Sequence, residues 1–157
     1  MNIIGRRPRG GWPRYANTHV QAFEGLGWPI CWAPALVDLM NLMHELKVIS
    51  FRWLTTWEHD GPRDFAPAIG LSIGDWVAAE DRGTSQTWWK LDAIVDHLGE
   101  SDELFIWTDD DIGEYLQARQ VVDMLSPERA VVVHVDGKRG LSPQDFNVIL
   151  TAIEQLR

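Results

Sequence analysis

The sequence predicts an α/β fold: a parallel sheet covered by helices on both faces, preceded by an antiparallel hairpin. Three observations predict it. From residue 34 to the end, apolar runs at 48–54, 105–108 and 130–135 alternate with segments of helical period, the pattern that builds right-handed βαβ units. Those runs are mostly apolar rather than apolar at every second residue, as expected of parallel strands buried on both faces. The chain has 157 residues, 45% apolar and 24% charged, enough for one domain with a sizeable core.

Each element has its own signal. Residues 1–5 are too short to assign, and 6–17 form a Gly/Pro/Arg loop. Two short strands, 18–22 and 28–32, flank a turn at 24–27 and predict a hairpin. Pro34 opens a helix on which Leu36, Leu39, Met40, Met43 and Leu46 recur at helical spacing. The run 48–54 is a strand bounded by Thr55 and Thr56, and residues 63–69 are a short helix ended by Gly70. The pattern over 71–86 is ambiguous, with 73–78 read as an edge strand. Thr87 caps a helix over 88–98 with Leu91, Ile94, Val95 and Leu98 on one face. A strand at 105–108, a helix over 112–124 and a strand at 130–135 follow. Ser142, with Pro143 at the first helical position, opens a last helix running to about residue 156. The sum is a single domain over 1–157: a basic arm at 1–17, a hairpin at 18–32, and a three-layer, Rossmann-like core at 33–157.

Composition narrows the function classes. No apolar run approaches the roughly 20 residues of a membrane span, and the basic N-terminus lacks the apolar stretch of a secretory signal. Cys31 is the sole cysteine, so no internal disulfide forms; a cytoplasmic location is expected. Net charge is −9. Arg6, Arg7, Arg9 and Arg14 lie in an acid-free arm, which leaves the rest of the chain at −13. Such a body repels nucleic acid and anionic membrane unless the arm makes the contact. Nine tryptophans supply core and pocket walls.

The chemistry concentrates at strand ends. Phe105-Ile106-Trp107-Thr108 runs into Asp109-Asp110-Asp111. In open α/β sheets ligands bind beyond the carboxyl ends of the strands. Three like charges there repel, and a divalent cation such as Mg²⁺ would relieve them. Asp109 and Asp110 are the candidate metal ligands. Thr55, at the end of the strand 48–54, offers a hydroxyl to a phosphate oxygen. Lys90, in the first turn of its helix, offers an ammonium where a helix N-terminus already favours anions. Singly, each has a plainer explanation: a turn threonine, a solvated lysine, a solvated acidic cap.

Their order, strand-Thr, helix-Lys, strand-Asp-Asp, resembles the haloacid dehalogenase-like superfamily of phosphohydrolases. Its second, third and fourth motifs correspond to Thr55, Lys90, and Asp109 with Asp110. A closer likeness is to small bacterial members related to domains beside RNA-repair modules. It is carried by Trp57-Glu58-His59, Trp89-Lys90-Leu91, the Asp-Asp-Asp segment, and Val135-Asp136-Gly137 with Gly140-Leu141-Ser142-Pro143. The likeness runs from about residue 28 to 157. It implies a Mg²⁺-dependent phosphatase scaffold, with Thr55 and Lys90 binding phosphate. The ligand would be a phosphorylated small molecule or a nucleic-acid end, with no membrane partner.

One departure matters more than the matches. The superfamily's first motif, Asp-x-Asp-Gly, supplies the nucleophile, and nothing upstream of Thr55 fits it. Without that carboxylate there is no obvious way to split phosphoryl transfer into two steps. The strand that carries it, at the sheet centre between the Thr55 and Asp109 strands, is missing as well. Four compensations are open: direct pairing of the flanking strands, the N-terminal segment filling the gap, a strand lent by a second chain in a homodimer or by a protein partner, or a natural chain that starts upstream. The expectation is therefore an impaired phosphohydrolase-type domain, with a non-catalytic binding or interaction protein on the same scaffold as the alternative.

Other features receive plainer readings. Residues 131–137, with His134 in the nucleophile's place, imitate a first motif, but Asp136-Gly137 reads more simply as a turn. Glu58 and His59 fix a loop or line a pocket. Cys31, between Ile30 and Trp32, is a buried inert thiol. His19, His44 and His97 share no ligand spacing and carry no role.

Overall fold

In a computed structural model of the chain, residues 11–22, 25–57, 59–72, 77–78, 88–100, 105–113, 120 and 130–155 are described. They are mixed α/β, with four helices, one antiparallel hairpin and two parallel strand pairs. They fall into two compact units, residues 12–78 and residues 88–155, Gly11 grouping with the second. Among the described residues no helix is long and apolar enough to cross a membrane.

The first unit opens with the hairpin. Strand β1 (Ala16–Ala22) pairs antiparallel with β2 (Leu26–Trp32), from Ala16 opposite Trp32 to Ala22 opposite Leu26. Gly25 carries the turn at φ +94°, a conformation that costs glycine nothing. Val20, Ile30, Trp28 and Trp32 share one face of the hairpin and join a core with Val37, Trp53, Trp57, Phe65, Ala66, Ile69 and Leu71. Cys31 points to the other face and is also buried.

Helix α1 (Pro34–Glu45) starts on Pro34, whose missing N–H is no loss in the first turn. Leu36, Val37 and Met43 are buried, whereas Leu46 lies past the helix end, 63% exposed. The ending explains why. Lys47 sits in the left-handed region at φ +53°. Its N–H donates to the His44 carbonyl and that of Val48 to the Met43 carbonyl, a Schellman cap. Since the Val48 N–H closes the cap, it is not spent on a sheet ladder. Strand β3 is accordingly Arg52–Trp53 rather than 48–54. It pairs parallel with β4 (Val77–Ala78), part of the expected edge strand; residues 73–76 lie outside the described residues.

The helix expected at 63–69 begins earlier, as a wide π-turn over Gly61–Phe65 that leads into α2 (Ala66–Ala68). Gly70, at φ +76°, ends it as expected. Asn41 of α1 ties this segment down: its amide nitrogen donates to the Gly70 carbonyl (2.9 Å), and its Oδ1 accepts from the Ser72 N–H (2.7 Å).

In the second unit, α3 covers Trp89–Glu100; the expected Thr87 cap lies outside the described residues. Leu91 and Ile94 are buried, but Val95 is 49% exposed and the buried face takes in Lys90 instead. Strand β5 (Phe105–Asp109) pairs parallel with β6 (Ala130–His134), Phe105 opposite Ala130 and Asp109 opposite His134. Of the helix expected at 112–124, Ile112 and Gly113 lie in a turn, residue 120 is helical, and the rest falls outside the described residues. Helix α4 (Pro143–Gln155) buries Phe146, Ile149 and Ala152. Its start is a reciprocal cap: Ser142 Oγ accepts from the Asp145 N–H (3.2 Å) and Asp145 Oδ2 accepts from the Ser142 N–H (2.8 Å).

Candidate functional site

The β5–β6 pair ends with its carboxylates where a parallel sheet offers a ligand position. Strand alternation puts Trp107 and Asp109 on one face of β5, and both are buried, while Thr108 between them is exposed. Helix α3 meets this face through Lys90. The Trp88 and Trp107 rings lie 5.7 Å apart, and Lys90 Nζ sits 5.3 Å from the Trp88 ring centroid, within cation–π range.

Lys90 is the hub. Its Nζ donates to Asp109 Oδ2 (2.9 Å) and to Asp111 Oδ2 (3.2 Å). The Lys90 and Asp109 side chains are only 7% and 4% exposed, that of Asp111 39%. The second Asp109 oxygen, Oδ1, accepts the Asp111 N–H (2.9 Å). Burial is the largest influence on Lys90 and pulls its pKa down, but the hydrogen bond and charge of Asp109, helped by Asp111, outweigh it and leave it raised. Burial likewise dominates at Asp109 and pushes its pKa up, against the pull of Lys90. The two directions agree physically: Lys90 faces two carboxylates, whereas Asp109 faces one ammonium and the like charge of Asp111.

The Asp110 carboxylate lies against the turn after β6. A Cβ built on Gly137 would stand 2.5 Å from Asp110 Oδ2, so glycine is what lets this turn approach the carboxylate. The turn is held by Asp136, whose Oδ1 accepts from the Lys138 N–H (2.8 Å) and whose carbonyl accepts from Arg139 and Gly140. His134 Nε2 lies 3.2 Å from the Asp110 carbonyl oxygen, a hydrogen bond in the tautomer protonated at that nitrogen.

The three acids offer oxygens within 4.8 Å of one another, a donor set that suits a hard cation. Both Asp109 oxygens are already engaged. Asp110 and Asp111 are the less buried of the three and the more open to a cation. Mg²⁺ commonly takes one or two carboxylates and keeps several waters.

Of the residues singled out from the sequence, Lys90, Asp109 and Asp110 come together in the second unit. Thr55 belongs to the first unit, where its Oγ1 accepts the Trp57 N–H (3.3 Å) and closes a local turn. Trp57 is core, Glu58 lies outside the described residues, and His59 is exposed, its carbonyl accepting the Arg63 N–H. Sequence reasoning missed Asp111 as the second partner of Lys90 and Gly137 as the neighbour of Asp110. The signals were the third acid of the run and the Asp-Gly pair.

No family model, curated protein or solved structure matches this chain.

Proposed function

We propose that this chain is a haloacid dehalogenase-like domain with a Rossmann-like, three-layer core, whose second unit keeps a phosphate- and Mg²⁺-binding site while its capacity for phosphoryl transfer is impaired. The observation that carries the reading is a lysine ammonium, almost wholly buried, set against the carboxylates at the C-terminal end of a parallel strand pair. Burying a charge is expensive unless its partners repay it, and such groups mark functional sites more often than chance. Lys90 would neutralise a phosphate oxygen. Asp110 and Asp111 would hold Mg²⁺, which supplies charge neutralisation to the same phosphate.

Turnover is a separate matter. No Asp-x-Asp-Gly occurs among the 157 residues, so no carboxylate in that motif forms an aspartyl-phosphate. The reading accordingly predicts binding without efficient hydrolysis. A non-catalytic binding protein is favoured by one further observation: both carboxylates nearest Lys90 already accept hydrogen bonds from its ammonium. Mg²⁺ titration followed by calorimetry, together with hydrolysis of an aryl phosphate, tests the proposal. Binding of Mg²⁺ that weakens in Asp110→Asn and Asp111→Asn, with negligible hydrolysis, supports it. Mg²⁺ binding unaffected by both substitutions would overturn it.

A further inference from the structure

Lys90 carries three N–H donors. One goes to Asp109 Oδ2 at 2.9 Å and one to Asp111 Oδ2 at 3.2 Å, and the Trp88 ring faces the ammonium at 5.3 Å. With its side chain only 7% exposed, Lys90 leaves a ligand oxygen little open approach to Nζ, and the direct route is to take the place of a group already there. The candidates are unequal. Asp109 is 4% exposed and holds the shorter bond, and its Oδ1 is engaged by the Asp111 N–H. Asp111 is 39% exposed and holds the longer bond. Its link to Asp109 runs through its backbone N–H, so its side chain can rotate about χ1 without breaking that link.

We propose that the Asp111 carboxylate occupies the position on Lys90 that an oxyanion of the phosphate class would take, an autoinhibitory contact that ligand binding exchanges. The inference rests on the reading of Lys90 as an anion-binding group. The exchange is carboxylate for phosphate oxygen on one ammonium, with no bond made or broken in the chain. Asp109 remains in place as the anchor that keeps Lys90 charged and aimed. Asp110, whose carboxylate lies against Gly137, takes no part.

The test is calorimetric titration of the full chain with inorganic phosphate, in chelator so that no metal contributes. Asp111→Ala is expected to bind phosphate about fivefold more tightly than wild type, the scale of one part-exposed ion pair. Asp110→Ala removes the same charge without touching Lys90 and is expected to gain clearly less. Adding Lys90→Met to Asp111→Ala is expected to abolish the gain. Phosphate-induced shifts of the amide signals of Asp109 and Asp111 locate the anion independently, should the double variant fold poorly. Equal gains in Asp110→Ala and Asp111→Ala would mean bulk charge alone, and would overturn the inference while leaving Lys90 as the anion site. A gain that survives Lys90→Met, or no binding to any variant, would overturn the reading of Lys90 and the inference with it.

Discussion

Replacing Lys90 with methionine keeps much of the side chain's apolar stem and removes its charge. Asp109, 4% exposed, then has two options. It can stay ionised with only the Asp111 N–H as partner, or it can take up a proton. The second sets a ceiling on the damage. Protonating a carboxyl of ordinary pKa 3.8 at pH 7 costs about 4 kcal/mol at about 1.36 kcal/mol per unit. The cost of breaking a buried pair by removing one partner, about 3–5 kcal/mol, agrees with it. The ceiling falls with pH, to about 1.6 kcal/mol at pH 5. Lys90→Met should therefore lose about 3–4 kcal/mol at pH 7 and roughly half that or less at pH 5. Adding Asp109→Leu should restore most of the loss, because a buried pair exchanged for apolar groups is often neutral. Urea denaturation at the two pH values measures the loss, and hydrogen exchange at the Asp111 amide localises it. A loss under about 1 kcal/mol, or one that does not change with pH, would refute the reasoning, since Asp109 would then be solvated or satisfied without Lys90.

Four further outcomes follow from the same geometry. The raised folded pKa of Lys90 means that its contribution is whole below its unfolded value of 10.5 and is lost as pH rises through the folded value; alkaline denaturation of wild type, but not of Lys90→Met, should show this component. Asp109 is raised by burial, so its folded form holds a proton more tightly than the unfolded chain, and its carboxyl carbon should titrate by NMR above 3.8 and higher still in Lys90→Met. Gly137→Ala should push the exposed Asp110 carboxylate aside, weakening Mg²⁺ binding in calorimetry while the thermal midpoint barely moves. Lys47→Gly should stabilise the first unit by about 0.5–1 kcal/mol in urea denaturation, because φ +53° strains a lysine and not a glycine.

Much of the secondary structure was legible because its signals are local. Ser142 and Asp145 announce a helix start by their hydrogen-bonding capacity and Pro143 by its fixed φ, and the apolar runs of β5 and β6 read as strands, although Thr108 and His134 are exposed. What stayed hidden depends on tertiary context. The left-handed Lys47 carries no signal, since such caps are ordinarily Gly or Asn, so the run 48–54 looked like a longer strand than the helix cap leaves available. Helical period does place Lys90 beside Ile94, but a lysine reads as solvated until two carboxylates are found waiting for it. Which of three consecutive aspartates faces that lysine depends on a turn whose Asp111 N–H closes on Asp109. The Thr55 hydroxyl, legible as a ligand group, also accepts a hydrogen bond in a local turn, a detail of backbone geometry that the sequence does not carry.

Lys90, Asp109 and Asp111 are proposed to form one oxyanion site. Crystals grown with inorganic phosphate and Mg²⁺ examine this at atomic detail. A phosphate oxygen is expected within hydrogen-bond distance of Lys90 Nζ, with the Asp111 side chain turned off Lys90. Phosphate bound elsewhere, with the Lys90–Asp109–Asp111 contacts unchanged, would contradict it.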